Sequence, residues 1–485
     1  MKSSDRSVGR LALLLSAACH GLFLVGCISA GAIAPQSRLL DVATLLRDDR
    51  TAPLVSDSWW TAYGDPGLDR VVDRGLASNP SLAVVRVRIE NANAMVSAAD
   101  AARQPRADAA LDVTRKRYSE NSAYSPLVAG STKNVGALFL TGSWEIDVFG
   151  RQRAVLDSAI GAQRAAEADF QAARILLASN IVRQYVQLAR LADQRAVLER
   201  SLAQRQEILD LTRQRVAEGL DTTVELHLQE GEVPEISVAI EATKEQSELV
   251  RHALAALTGG GPSDFEDLSP NLLNVSVVSL PGSVPADLLG RRADIVAARW
   301  RVEAATHDLQ AAHAQFYPSI NLVAFAGFTS IALENLIEAG SREYGVGPAV
   351  RLPIFDAGRL RANYASRAAD VDSAIEGYNA SVVQALRETA DALSSVQSVE
   401  RQQQQQKLAL SSAERAYGAS LQRYREGLGS YLTVLATETN VLTQRRADND
   451  LKARALDSQA LLAHALGGGY VQADPSSHDA PTAAL

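Results

Sequence analysis

Residues 215–220 are RVAEGL and residues 423–428 are RYREGL, about 208 positions later. Two further landmarks recur in the same order and at about the same distance: GR at 150–151 and 358–359, and LTG at 257–259 echoed by LGG at 466–468. Three landmarks in one order indicate an internal duplication. Two large copies of one unit therefore make up most of the chain.

The N-terminus has the layout of a secretory signal, because basic residues precede an apolar run that ends in LVGC at 24–27. This tetrapeptide resembles the bacterial lipobox, whose cysteine becomes the lipid-modified first residue. We therefore expect residues 1–26 to be removed and Cys27 to carry a covalent lipid. Cys19 lies inside the signal, so the mature chain has no cysteine pair for a disulfide or a cysteine metal site.

The composition of the 485 residues is that of long helices, since aromatic residues make up only 5% of the chain and the helix formers alanine, leucine, glutamine, arginine and glutamate are abundant. After Cys27 no run of 18 apolar residues lacks a charge, which argues against a membrane-spanning helix. The net charge of -8 has interspersed signs and forms no basic patch. Nucleic acid is therefore not expected as a partner.

The duplication divides the chain into segments. We expect a first repeat at 65–260 and a second at 285–468, joined by a linker or equatorial region at 261–284. A lipid-anchored segment, 27–64, precedes the first repeat, and a flexible tail, 469–485, follows the second. Each repeat opens with a helical pattern that stops at a proline, Pro105 or Pro318.

Strand patterns follow these openings in both repeats. Apolar and polar residues alternate with a period of two, as they do in half-buried strands. The expected strands cover 106–117 and 135–148 in the first repeat, and 319–330 and 343–354 in the second.

The longest helical patterns run from Gly150 to Val216 and from Arg359 to Tyr424 without an internal proline. Apolar residues recur along both at coiled-coil spacing. Helices of this length should each span about 100 Å. Both end at a Gly-Leu pair and return as shorter partners, and Gly219 and Gly427 stand where a left-handed helix cap is wanted.

Four strands of roughly ten residues cannot close a membrane barrel, and an open edge in lipid leaves backbone groups unpaired. Copies of the chain must therefore associate. The fold class predicted is an α+β membrane protein: a trimeric, twelve-stranded β-barrel, four strands per chain, continued by an α-helical barrel of long coiled-coil helices, which the family resemblance given below implies is periplasmic. A strand barrel that continues into a helical barrel is a conduit.

Several long motifs resemble those of TolC-type outer-membrane factors. With the lipobox, the similarity is to their lipoprotein branch, the NodT-like outer-membrane subunits of RND multidrug efflux systems. The motifs are WEIDVFGR at 144–151, LPGSVPADLLGRRADI at 280–295, FYPSI at 316–320 and LPIFDAGR at 352–359.

The resemblance implies a homotrimer in the outer membrane that extends into the periplasm. A periplasmic membrane-fusion adaptor and an inner-membrane RND pump would feed small molecules into its tunnel. The Gly-Leu turns would form the periplasmic tip, where adaptor hairpins would contact Gly219, Leu220, Gly427, Leu428 and Ser430. The same glycines are also explained as helix caps, and the two roles are compatible.

The residues expected to close the duct at its tip, here called the gate, depart from the family pattern. Relatives place an aspartate after the second tip, whereas this chain has Ala436 there. Carboxylates occur instead at Glu225 and Glu438, for which a solvated helix surface is the simpler interpretation. We therefore hypothesise that closure depends more on packing of three tip residues, Arg423, Tyr424 and Tyr431, than on a ring of one aspartate from each of three chains.

Two other functions remain open. A type I protein-secretion exit duct has the same architecture, and a lipid-anchored coiled-coil scaffold would have no pore but would not need alternating strands. No catalytic triad, phosphate loop, dinucleotide fingerprint or metal-ligand spacing occurs, so neither an enzyme nor a cofactor beyond the Cys27 lipid is expected.

Overall fold

The computed structural model describes residues 32–40, 56–121, 123–275 and 292–470. It contains seven α-helices and four strands within this part of the chain. The predicted signal and Cys27 lie outside the described residues, as do most of the signature at 280–295 and the tail after Tyr470. The helices are α1 (Pro66–Ser78), α2 (Pro80–Ala101), α3 (Arg151–Ala217), α4 (Thr223–Leu257), α5 (Ala293–Ala314), α6 (Arg359–Arg425) and α7 (Tyr431–Ala465).

The two copies have matching elements. The long helices α3 and α6 have 67 residues each, and their return partners α4 and α7 have 35 each. Each long helix follows a pair of strands. The expected combination of four strands with two long helices in a duplicated chain is confirmed. Among the described helices, none is both long and apolar enough to cross a membrane.

The strands form one antiparallel sheet in the order β1-β2-β3-β4. They are β1 (Arg106–Arg117), β2 (Thr132–Ile146), β3 (Ser319–Ser330) and β4 (Arg342–Arg351). The central pair joins the two copies, since β2 belongs to the first and β3 to the second. Among the described residues of one chain, no strand lies beside the outer edge of β1 or of β4.

Two strands differ from their expected bounds. β2 begins three residues before 135 because Thr132 to Asn134 pair with the end of β1, and it stops at Ile146, before the expected 148. β4 stops at Arg351 instead of 354, two residues before Pro353, which has no N–H for a ladder. After each of these strands, an aspartate side chain accepts a hydrogen bond from a backbone N–H of the following helix. Asp147 accepts from Arg153 N at 2.7 Å, and Asp356 accepts from Leu360 N at 2.8 Å.

The register gives the sheet two chemically different faces, because directly paired residues share a face and successive residues alternate. One face, here called the apolar face, is apolar along most of all four strands. The opposite, mixed face has every carboxylate of the four strands: Asp108, Asp112, Glu145 and Glu343. The apolar face contains Ala107, Ala109, Leu111, Val113, Leu138, Leu140, Trp144, Ile146, Ile320, Leu322, Ala324, Ala326, Phe328, Tyr344, Val346, Pro348 and Val350.

Contacts divide the chain into two compact units, and the sheet belongs to the unit that comprises Met1–Leu39, Ile89–Ala165 and Ala298–Tyr378. In this unit residues 36 and 37 are bound to α6, because Asp372 Oδ1 accepts hydrogen bonds from Gln36 N and Ser37 N at 2.7 and 2.8 Å.

The other unit contains the largest apolar core and both Gly-Leu turns. Its core includes Trp60, Tyr63 and Leu68 together with residues of α3 such as Ile181. Asp65 caps α1 by accepting from Gly67 N at 2.7 Å.

Candidate functional site

The two Gly-Leu turns have the same backbone geometry. Gly219 and Gly427 both have φ of 73°. In the first turn Leu220 N donates to Arg215 O at 2.8 Å, and in the second Leu428 N donates to Arg423 O at 2.8 Å. This bond pattern satisfies the last carbonyls of a helix, and its left-handed residue is usually glycine. The cap role expected for both glycines is therefore confirmed.

The side chains expected to contact an adaptor are accessible. Leu220 is 62% exposed and Leu428 is 66% exposed, although leucine side chains favour burial. Ser430 is also exposed. A Cβ added at either cap glycine would meet nothing within 4 Å. The turns thus present two apolar side chains beside bare backbone, which is a surface suited to close approach by another chain.

Glu225 has a local structural role that the sequence analysis did not assign. Its carboxylate accepts from Thr222 N at 2.7 Å, while Glu225 N donates to Thr222 Oγ1 at 3.4 Å. This reciprocal pair is a capping box for α4, and it holds a half-buried carboxylate. Glu225 stays part-exposed at the start of the helix, and it caps α4 as well. The second turn has no equivalent, because the Ser430 side chain makes no cap hydrogen bond.

Asp221 joins the two turns. Arg215 Nε and Nη2 donate to its carboxylate at 2.8 and 3.1 Å, and Tyr424 Oη donates to it at 2.9 Å. The Arg215 guanidinium also lies 4.9 Å from the centre of the Tyr424 ring. Hydrogen bonds from Arg215 lower the pKa of Asp221, burial partly opposes them, and the hydrogen bond from Tyr424 lowers the pKa further. Asp221 is therefore an ionised bridge between α3 and α6.

The second copy does not repeat this bridge, because Gly429 stands where the first copy has Asp221. Arg423, the counterpart of Arg215, is exposed, and within the described part of the chain it donates only to Leu428 O, at 3.4 Å. Of the three predicted packing residues, Tyr424 and Tyr431 are 1% exposed and contact each other edge to face at 5.9 Å. Arg423 does not join them.

A buried ionic cluster lies deeper in the helices. Arg205 Nε is 2.9 Å from Glu438 Oε2, and both side chains are only 2% exposed. The Arg205 guanidinium also lies 3.5 Å from Glu232 and donates to Tyr431 Oη at 3.2 Å. Arg205 thus links α3 to α4 and α7. The expectation that Glu438 lies on a solvated surface is wrong, because its heptad position faces the neighbouring helices.

Charge in this cluster is only partly compensated. Neither Glu438 oxygen accepts a well-aligned hydrogen bond, despite the close guanidinium. Burial raises the pKa of Glu438, the Arg205 cation opposes that rise, and the Glu232 anion adds to it. The sign is opposite to that of Asp221, so the two carboxylates respond differently to acid.

Arg205 is not among the residues predicted above, although the sequence carries a signal for it. Leu198, Leu202, Arg205 and Leu209 follow one another at spacings of four, three and four residues. Glu438 occupies a similar place in the series Tyr431, Val434, Glu438 and Val441. Opposite charges on the apolar seams of two helices predict a buried pair where those seams meet.

The turns offer exposed leucines and backbone, and among the described residues nothing near them resembles a metal centre. In the described part of the chain, no group of three or more His, Cys, Asp or Glu side chains could hold a metal ion. Ala436 is exposed and offers no carboxylate. Of the charged side chains at the turns, Asp221 is held between two helices, whereas Glu225 caps its own helix.

Comparisons with known proteins agree with this architecture. Residues 71–260 and 284–468 match the family model described as outer membrane efflux protein. The fusaric acid resistance protein FusA of Burkholderia cepacia is 35% identical over 386 residues, which cover 76% of this chain and 71% of FusA. The multidrug resistance outer membrane protein MdtP of Escherichia coli K12 is 30% identical over 429 residues, covering 86% of this chain and 87% of MdtP.

Solved structures with the same fold include two outer-membrane proteins. VceC of Vibrio cholerae aligns with a TM-score of 0.80 at 33% identity, covering 86% of this chain and 100% of VceC. The outer-membrane channel OprN aligns with a TM-score of 0.80 at 26% identity, covering 91% of this chain and 97% of OprN.

Proposed function

The chain belongs to the outer membrane efflux protein family, and from this membership we propose that three copies form the exit duct of a tripartite RND-type multidrug efflux system. Its place in the outer membrane and its role in efflux, both predicted from the sequence, are confirmed by the membership. The trimer, the pump and the adaptor are part of the proposal.

The observation that supports an assembled barrel is the apolar face of the sheet. Leu111, Leu140, Tyr344 and Val346 on this face are all exposed in the single chain. The outer edges of β1 and β4 are unpaired, and in hydrocarbon each unpaired backbone group costs several kcal/mol. Joining β4 of one copy to β1 of the next removes every edge, and three copies give twelve strands.

The mixed face would then line a water-filled interior. Its side chains include the four strand carboxylates, and polar interiors with apolar exteriors are usual for membrane barrels. We propose that the duct conducts small molecules without chemistry, and that selection of substrates belongs to the pump. The names of FusA and MdtP favour drug export over protein secretion.

Assembly can be tested on the full-length protein in detergent and in planar bilayers. We expect a trimer that migrates differently on a gel before and after heating, and a measurable conductance. A monomer without conductance would contradict the duct and would favour a lipid-anchored scaffold.

Partners can be tested by co-purification from cells that express candidate transporters. An RND pump with its periplasmic adaptor is the expected result. Recovery of an ABC exporter in its place would favour the type I secretion duct. Substitution of both turn leucines, Leu220→Ser with Leu428→Ser, should reduce adaptor recovery without loss of the trimer, because both side chains are exposed.

The tip closure that we propose depends on Tyr424 and Tyr431, whose rings pack together beside the buried cluster. Tyr431→Ala removes the ring and the acceptor of the Arg205 hydrogen bond, so the closed-state current should rise. Tyr431→Phe is the matched control that keeps the ring. An unchanged closed-state current in Tyr431→Ala would refute this role.

The lipid on Cys27 is also proposed, on the strength of the LVGC motif alone. The mass of the mature N-terminal peptide tests it, and an unmodified cysteine would exclude the anchor.

A further inference from the structure

The cations on the apolar face of the sheet are confined to one end. Arg115 and Arg117 continue the β1 series that begins with Ala107, and Arg342 opens the β4 series that contains Tyr344. These three residues are here called the arginine rim. All three are exposed. No carboxylate of the four strands shares their face.

The rim lies at the loop end of the sheet. The β1–β2 and β3–β4 connections are loops without an α-helix, whereas α2, α3, α5 and α6 all attach at the opposite strand ends. At that helix end the apolar face has Ile146, Ile320 and Val350 and no cation. The face therefore has a charged end and an uncharged end.

Carboxylates of the chain itself neutralise little of the positive charge of the arginine rim. Arg117 lies 3.9 Å from Glu120, but these side chains are 70% and 73% exposed, so the pair contributes little. Among the described residues, Arg115 and Arg342 make no ion pair. Guanidinium groups pair well with phosphate, which accepts two parallel hydrogen bonds.

We propose that the arginine rim binds the phosphate groups of the glycolipid in the outer leaflet, of the lipid A type. The proposal rests on the proposed function, in which the helices are periplasmic and the loop end lies at the cell surface. Acyl chains then contact the apolar band and their phosphorylated head groups meet the rim. The mixed-face cations at the same end, Lys116 and Lys133, point into the duct and take no part.

Lipid binding can be measured by native mass spectrometry of the full-length trimer titrated with bisphosphorylated lipid A. Removal of one arginine should weaken binding roughly fivefold, which corresponds to the usual effect of one cation at an anionic lipid surface. Arg115→Gln with Arg117→Gln and Arg342→Gln should therefore weaken it by on the order of 100-fold. Lipid A without phosphates should bind the wild type as weakly as the native lipid binds the variant.

The matched control compares Arg115→Gln in β1 with Lys133→Gln in β2, which removes the same charge from the opposite face at the same end of the sheet. Lys133→Gln should bind lipid A like the wild type. Equal loss in both variants, or no loss in the triple variant, would overturn the proposal. Competition by inorganic pyrophosphate as strong as that by lipid A would also overturn it, since the rim would then bind a soluble anion.

The conductance of each variant separates this inference from the proposed function. All variants should assemble and conduct like the wild type, because the substituted side chains are exposed. If the wild type itself gives no conducting trimer, the proposed duct is wrong. If it conducts but binds lipid A without regard to the arginines, only the lipid inference is wrong.

Discussion

Asp221 shows how one side chain makes the two turns unequal. In the first copy it accepts hydrogen bonds from Arg215 and Tyr424, and in the second copy Gly429 leaves Arg423 without a carboxylate partner. The bridge joins the first turn to the helix that enters the second. Loss of Asp221 should therefore loosen both turns.

The pKa of Asp221 predicts how acid affects the turns. Its folded-state pKa lies below the unfolded value of about 3.9. The ionised carboxylate therefore stabilises the turns at every pH above that value, and the stabilisation is lost as the pH falls through the folded pKa. In the Asp221→Asn variant, the stability of the turns should depend less on pH over this range. Hydrogen exchange at residues 210–226, followed from pH 6 to pH 3, measures it, and equal pH profiles would contradict the bridge.

Substitutions at a cap glycine can distinguish its role as a helix cap from a role in adaptor contact. Gly219→Ala should destabilise the turn by about 1 kcal/mol, because an L residue is strained at positive φ. Gly219→Asn should cost less, since asparagine tolerates this conformation. Adaptor affinity that falls in Gly219→Asn, while hydrogen exchange at the turn stays normal, would demonstrate contact. Unchanged adaptor affinity in Gly219→Asn would show that Gly219 acts only as a helix cap.

At the scale of the helices, the buried cluster fixes how α3, α4 and α7 meet. Coiled-coil seams of leucine and valine permit several registers, whereas a buried arginine lies beside its glutamates in one register only. Arg205 and Glu438 lie on different copies of the duplicated unit. The cluster therefore links the two halves where backbone geometry alone is nearly symmetric.

A double-mutant cycle tests this register role. Arg205→Met alone should cost about 3–5 kcal/mol, because Glu438 would remain buried without its cation. Arg205→Met with Glu438→Leu should cost less than that single change, since no uncompensated charge remains. The local opening free energy from hydrogen exchange in α3 and α7 is the measurement. Additive costs would mean that the two side chains do not act as a pair.

At the scale of the whole molecule, the two sheet faces decide which substitutions a membrane barrel tolerates. Leu140→Arg places a cation in the middle of the apolar face and should cost about 2–4 kcal/mol, which lowers the yield of assembled trimer. Thr141→Arg, one residue further on the mixed face, should assemble normally. Heat-modifiable trimer on a gel measures both, and equal yields would contradict the assigned faces.

Much of this architecture could be predicted from the sequence, because its signals are periodic. Two-residue alternation located four strands, heptad spacing located the long helices, and the repeated RVAEGL and RYREGL motifs located both turns. The strand ends were predicted less accurately. β2 stops just before Asp147, and β4 stops two residues before Pro353. Such ends depend on single hydrogen bonds rather than on a pattern.

The candidate site was predictable only in outline. The turns and their exposed leucines follow from glycine chemistry and from the duplication. The roles of Asp221, Arg205 and Glu438 did not follow, because each depends on residues more than 200 positions away or on a third helix. Local sequence states which residue is charged, but it does not state which charges meet.

The sequence by itself determined the duplication, the helix and strand periods and the left-handed caps, since these arise from interactions between near neighbours. Only the tertiary structure decided that Glu438 is buried, that Asp221 bridges two helices and that three arginines share the apolar face. Those properties depend on register, and register is set by packing among distant segments.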